Sequence, residues 1–170
     1  TKRFEEKIAV NNTSFEVGEG EFLVLVGPSG CGKTTTLRML AGLEPVTSGE
    51  IRFNDRDVTN IRAKDRNVGM VFQDYAIFPH MTVLENVRIA LQRARGGSFD
   101  FWRSTAVLND SNERAMALIA DVGLTSVADW LAVELPYGRK RALEIATTLA
   151  LDPEMLLLDE PTAGMGHEDI

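Results

Sequence analysis

The residues able to do chemistry fall into two short stretches. The first is Gly27-Pro28-Ser29-Gly30-Cys31-Gly32-Lys33-Thr34, which fits the phosphate-loop pattern G-x-x-x-x-G-K-[ST]. Gly27, Gly30 and Gly32 carry no side chain, so the backbone there can curl and turn its N–H groups toward a phosphate. A helix opening at this point adds the partial positive charge of its N-terminus. Lys33 can reach terminal phosphates as a point charge, and the Thr34 hydroxyl suits Mg²⁺; Thr35 continues the nucleotide-binding stretch into the helix. The second stretch is Asp159-Glu160, which follows Met155-Leu156-Leu157-Leu158. Four apolar residues and then two acids read as a buried strand ending in carboxylates, a Walker B arrangement. Asp159 would hold Mg²⁺ through its water shell, and Glu160 would polarise an attacking water. Two acids at a strand end can also simply open a loop; the phosphate loop upstream favours the chemical reading.

The elements that must position these groups follow from periodicity. Phe22 to Val26 is a continuous apolar run that reads as a buried parallel strand, and Thr34 to Ala41 reads as a helix stopped by Gly42. Strand, loop and helix in that order are the setting the phosphate loop needs. Upstream, Ile8-Ala9-Val10 and Thr13 to Val17 read as β-structure, with Phe4 before them as a core or edge aromatic. Downstream, Gly49 to Phe53 reads as a strand, Asp57 to Arg66 as an irregular polar stretch, and Val68 to Phe72 as a second buried strand. Gln73 follows directly, at the strand end where α/β sheets bind ligands. From Thr82 the pattern turns helical, with Val83, Leu84, Val87 and Leu91 on one face. Gly96-Gly97-Ser98 breaks it, and Phe99, Phe101 and Trp102 form an aromatic cluster suited to a small satellite core or a partner. Glu113 to Val122 is an amphipathic helix stopped by Gly123, and Val127 to Leu131 a short helical turn. Leu135-Pro136-Tyr137-Gly138 then opens the most regular helix, whose wet side takes in Arg139, Lys140, Arg141 and Glu144.

Composition narrows the classes. At 170 residues, with 44% apolar and 25% charged residues, the chain reads as one soluble globular domain. A net charge of -7 argues against a nucleic-acid partner. Two His and one Cys leave little for a metal cluster, and a single Cys fits a reducing compartment. No signal peptide or bilayer-length apolar run is present, so membrane association would come through a partner.

The order of phosphate loop, Gln73 after a strand, helical insertion, Leu135 to Gly138 opening a helix, and Asp159-Glu160-Pro161-Thr162 resembles the nucleotide-binding domain of ATP-binding cassette (ABC) transporters. The resemblance implies an α/β fold: a P-loop NTPase with a RecA-like parallel-sheet core, an N-terminal antiparallel β subdomain and an inserted α-helical subdomain. Residues 1–170 would form a single ABC-type ATP-binding domain. Within it, 1–81 would be the β subdomain and phosphate-loop core, 82–135 the helical subdomain, and 136–170 the signature helix and Walker B. It further implies Phe4 as an adenine-stacking aromatic and Gln73 as the residue that senses Mg²⁺ and links to the membrane partner. Gly138 would face the γ-phosphate of ATP held by a second subunit, and Glu160 would be the catalytic base. Cofactors would be ATP and Mg²⁺. Partners would be a second nucleotide-binding subunit and the transmembrane permease subunits of an importer, docked near 82–135. The location would be cytoplasmic, peripheral on the inner face of the cell membrane. Up to about Val83 the chain resembles maltose-type sugar importers; from about Glu85, including Ala163-Gly164-Met165, it resembles branched-chain amino acid importers, as a recombined chain would.

Three departures bear on activity. Pro136 and Tyr137 replace the Ser and first Gly of the usual L-S-G-G, leaving Gly138 and the helix N-terminus as donors to the facing phosphate. Gly166 stands where the family carries Asp. The sequence ends at Ile170, before the family's switch His and final strands, and His167 reads as a loop residue. The leading expectation is an ATP-hydrolysing importer subunit. The alternative is a truncated or chimeric fragment that binds ATP with little or no turnover. A P-loop small-molecule kinase and a DNA-repair relative rank below both.

Overall fold

The computed structural model describes residues 1–71, 77–94 and 105–159, with side chains of 105–110 excepted. Two units separate, one from Thr1 to Val68 and one from Gly69 onward.

In the first unit an antiparallel hairpin joins β1 (Lys2–Phe4) to β2 (Lys7–Val10). Its register runs Phe4 to Lys7, Arg3 to Ile8, then Lys2 to Val10, so Ala9 is an extra residue on β2. Such a bulge locally strengthens the twist and re-aims neighbouring side chains. The turn puts Glu5 at positive φ. A helix, α1 (Lys33–Leu40), follows the phosphate loop, with Gly42 at φ +75° past its end. The Gly42 N–H bonds the Met39 carbonyl, and the Leu43 N–H that of Arg38. A second small hairpin pairs β3 (Arg52–Phe53) with β4 (Arg56–Asp57) across Asn54-Asp55.

Two expected strands are not formed. Thr13 to Val17 and Phe22 to Val26 carry no strand pairing, and Phe22 is 80% and Val26 88% exposed. An apolar run encodes a tendency to be buried; it does not supply the ladder. A strand buried on both faces needs a hydrogen-bonded neighbour and a covering layer, and among the described residues none pairs with 22–26.

In the second unit β5 (Val68–Val71, begun at the boundary) lies beside β6 (Met155–Leu158). The Asp159 N–H, just past β6, donates to the Val71 carbonyl at the end of β5. Both strands therefore end together and run parallel. Three helices make the unit's core: α2 (Val83–Ala94), α3 (Thr105–Asp121) and α4 (Tyr137–Leu149). Val83, Val87 and Leu91 of α2 meet Ala115 and Ile119 of α3 and Leu143 and Ala146 of α4, with Leu135 of the signature motif in the same cluster. Helix α3 begins well before Glu113, because 105–112 continue a helical path that the polar Asn109-Asp110-Ser111-Asn112 obscures in the sequence. The turn expected over Val127 to Leu131 appears as two 3₁₀ turns flanking it, Thr125–Val127 and Ala132–Glu134.

The wet side assigned to α4 is corrected at two positions. Arg141 and Glu144 are 2% and 1% exposed. They face inward because each neutralises the other across 2.8 Å, which makes burial of both charges tolerable.

Candidate functional site: the phosphate loop and the Asp159 strand end

The loop 27–34 curls around the head of its own lysine. Lys33 Nζ donates to the carbonyl oxygens of Gly27 at 2.7 Å and Pro28 at 3.0 Å, and lies 3.7 Å from Cys31 Sγ. Gly30 and Gly32 take positive φ, at +77° and +97°. Gly32 is needed twice over: it is the left-handed N-cap of α1, and a Cβ there would run into the Ala9 carbonyl oxygen at the β2 bulge. Gly27 is tight as well, since a Cβ would sit 2.7 Å from Cys31 Sγ. The Thr36 hydroxyl donates to the Gly32 carbonyl at 2.9 Å and secures the first turn. No side chain caps the N-terminus of α1 and no acid stands in its first turn, so its N–H groups and dipole favour an anion.

Phe4 closes the β1–β2 hairpin and is 44% exposed. Lys2 Nζ lies 4.6 Å from its ring centroid. From Lys7, the partner of Phe4, to the Ala9–Val10 pair beside Gly32 is two to three residues of β2, roughly 7–10 Å of strand. The Phe4 ring and the phosphate loop therefore share one short strand as a spacer.

Arg66 braces the far end of α1. Its buried guanidinium donates to the carbonyls of Met39 (2.7 Å), Leu40 (2.8 Å), Ile61 (2.8 Å) and Thr59 (3.0 Å). A cation there opposes the negative end of the helix whose positive end is the phosphate loop. Burial pulls the Arg66 pKa down from its usual value. Sequence reasoning missed this residue, which stands in a polar irregular stretch with no pattern to mark it.

In the second unit, half-buried Asp159 ends β6, and Arg141 Nη2 donates to its carbonyl at 3.0 Å. Pro136 is the N-cap of α4, Tyr137 its first residue and Gly138 its second, so the signature motif does open this helix. Asn86 was also missed. On the buried face of α2, its side chain accepts from the Phe78 N–H at 2.7 Å and donates to the Phe78 and Thr82 carbonyls at 3.0 and 2.9 Å. A polar residue between Val83 and Val87 on an apolar face was the signal available. Gln73, Glu160, the 161–170 motifs and the Phe99–Phe101–Trp102 cluster lie outside the described residues.

The family profile described as "ABC transporter" matches residues 10–163. The chain belongs to the ABC transporter family. It is 46% identical over 165 residues to "Fe(3+) ions import ATP-binding protein FbpC" of Brucella suis, covering 97% of this chain and 44% of that protein. It is 41% identical over 165 residues to "Xylose/arabinose import ATP-binding protein XacJ" of Haloferax volcanii, covering 97% of this chain and 41% of that one. A solved ATP-binding cassette of an ABC transporter matches at a TM-score of 0.82 and 26% identity, over 99% of this chain and 69% of that chain. This ABC chain thus spans less than half the length of those two curated relatives. No described helix is long and apolar enough to cross a membrane.

Proposed function

We propose that this chain is the ATP-binding and ATP-hydrolysing part of an ABC importer subunit. The observation that carries the proposal is the loop 27–34, with Gly30 and Gly32 left-handed, Lys33 folded onto the loop and the α1 N-terminus uncapped by any side chain. The donor set fits a triphosphate: backbone N–H groups, a helix N-terminus and one ammonium. The purine base would stack on Phe4, with β2 setting its distance from the phosphate cradle.

In the reaction, the N–H groups of 27–34 and Lys33 hold the β- and γ-phosphates and balance charge that grows on them in the transition state. Glu160 would orient and polarise the attacking water, and Gln73 would sense Mg²⁺ and link the site to the membrane partner. Thr34, Gln73 and, through water, Asp159 would be the residues to hold Mg²⁺, which would supply neutralisation of charge on the transferred phosphoryl group. Gly138 and the start of α4 would meet the γ-phosphate bound by a second copy. Permease subunits would dock on the 82–135 region at the cytoplasmic face of the membrane. Exposed Phe78, Trp130 and Val133 support that surface, because the Val133 N–H bonds the Pro79 carbonyl and brings the two segments side by side. The solute would be an ion or small molecule, as the printed names of the relatives suggest.

The test is titration with a fluorescent ATP analogue and Mg²⁺, followed by steady-state phosphate release. Lys33→Ala should weaken binding by at least about tenfold. Glu160→Gln should keep binding and remove turnover. Absence of saturable nucleotide binding by the unmodified chain would overturn the proposal, whereas binding without turnover would restrict it to nucleotide capture.

A further inference from the structure

We infer that Lys2 is a positioning residue for the nucleotide base, holding and polarising the Phe4 ring from one face so that the other face receives the purine. The inference rests on the reading of Phe4 as the base platform. Lys2 is buried although it carries a charge, and three contacts fix its ammonium. It donates to the Pro45 carbonyl at 2.8 Å, pairs with Glu44 Oε2 at 3.1 Å, and lies 4.6 Å from the Phe4 ring centroid. Glu44 and Pro45 follow closely on α1, so the same ammonium ties the hairpin to the exit of the phosphate-loop helix. The backbone repeats the tie: the Thr47 N–H donates to the Thr1 carbonyl, and the Arg3 N–H to the Thr47 hydroxyl.

Two physical effects follow. A ring on the end of a two-stranded hairpin would otherwise rotate freely, and ordering it on binding would cost affinity. The ammonium holds it beforehand. Secondly, aromatic faces are negative and repel one another when stacked squarely. A cation on one face draws π density toward itself, leaving the opposite face less negative and a better bed for a nucleobase. Phe4 keeps 44% of its surface exposed even with Lys2 against it, which leaves area for a base.

The experiment compares Mg²⁺-ATP with Mg²⁺-tripolyphosphate, which has the phosphates and no base, in competition against a fluorescent nucleotide. Lys2→Met should weaken ATP by roughly three- to fivefold and leave tripolyphosphate within about twofold. Lys2→Arg, which keeps a cation over the ring, should restore ATP affinity. Lys2→Gln serves as a second neutral variant should Lys2→Met fold poorly. Phe4→Ala should weaken ATP selectively by about tenfold. In that background Lys2→Met should do nothing more. If Phe4→Ala weakens ATP selectively and neither neutral Lys2 variant does, the inference alone is overturned. Equal weakening of ATP and tripolyphosphate by the Lys2 variants also overturns it, since Lys2 would then be merely structural. If Phe4→Ala leaves the preference for ATP over tripolyphosphate unchanged, the base-platform reading falls and takes the inference with it.

Discussion

Arg141 Nη2 donates to the Asp159 carbonyl at 3.0 Å, so the helix opened by the signature motif is bonded to the strand end that bears the proposed Mg²⁺ acid. Its Nη1 holds Glu144 Oε2 at 2.8 Å in an almost fully buried pair one turn along α4. A displacement of α4 along its axis would pull on the Asp159 backbone through the Arg141 side chain.

Removing half of that pair should be costly. Arg141→Met removes the cation 2.8 Å from buried Glu144, and breaking a buried pair typically costs about 3–5 kcal/mol. The double variant Arg141→Met/Glu144→Met substitutes apolar groups of similar length and should recover much of the loss. Urea unfolding of the single and double variants checks this; a double variant as unstable as the single would contradict it.

Asn86 should also be sensitive, for a different reason. Its carboxamide completes both polar groups of Phe78 and the Thr82 carbonyl in the segment leading into α2. Asn86→Leu keeps the volume and leaves the Phe78 N–H without this acceptor. The expected destabilisation is about 2–3 kcal/mol, with faster amide exchange concentrated at Phe78 to Thr82. Uniform protection across that segment in the variant would refute the clamp.

The packing of β5 under α4 turns on one glycine. A Cβ on Gly69 would lie 2.5 Å from Thr148 Cγ2, 3.1 Å from Pro153 and 3.2 Å from Leu156. Gly69→Ala should therefore cost about 1–3 kcal/mol by overpacking. Thr148→Ser removes the offending methyl and keeps the hydroxyl that donates to the Glu144 carbonyl at 2.8 Å. Combining the two should return part of the stability, measured by thermal melting against each single variant.

What the sequence revealed divides by mechanism. Local rules were legible: the phosphate-loop glycines, the α2 face of Val83, Val87 and Leu91, and the Pro136–Gly138 start of α4. Each depends on residues a few positions apart. Pairing was not legible. Phe22 to Val26 has the composition of a central strand but no described partner, because ladder formation depends on distant segments. Residues that brace through long-range carbonyl contacts were also hidden. Arg66 reaches back 26 and 27 residues to α1, and no period in the chain announces that. Arg141 and Glu144 looked like solvent-facing charges until the Asp159 carbonyl gave one of them a reason to face inward.

The start of α2 should carry a pH signature. The Thr82 N–H donates to Glu85 Oε2 at 2.8 Å, and the Glu85 N–H donates to the Thr82 hydroxyl at 3.1 Å, forming a capping box. The backbone hydrogen bond from Thr82, then the Thr82 hydroxyl, and more weakly Arg88 and His80, hold the Glu85 carboxyl below its ordinary value of 4.5. A carboxyl depressed on folding contributes stability that is present above its unfolded pKa and is lost as pH falls through the folded value. Between neutral pH and about 5 the cap should therefore be intact, and below 4.5 it should weaken progressively. Glu85→Gln removes the charge that titrates, so the stability difference between wild type and variant should shrink as the pH falls. Thermal melts of both proteins from pH 7 to pH 3 measure that difference directly. A gap that stays constant over the range would mean that the Glu85 charge adds nothing to the cap.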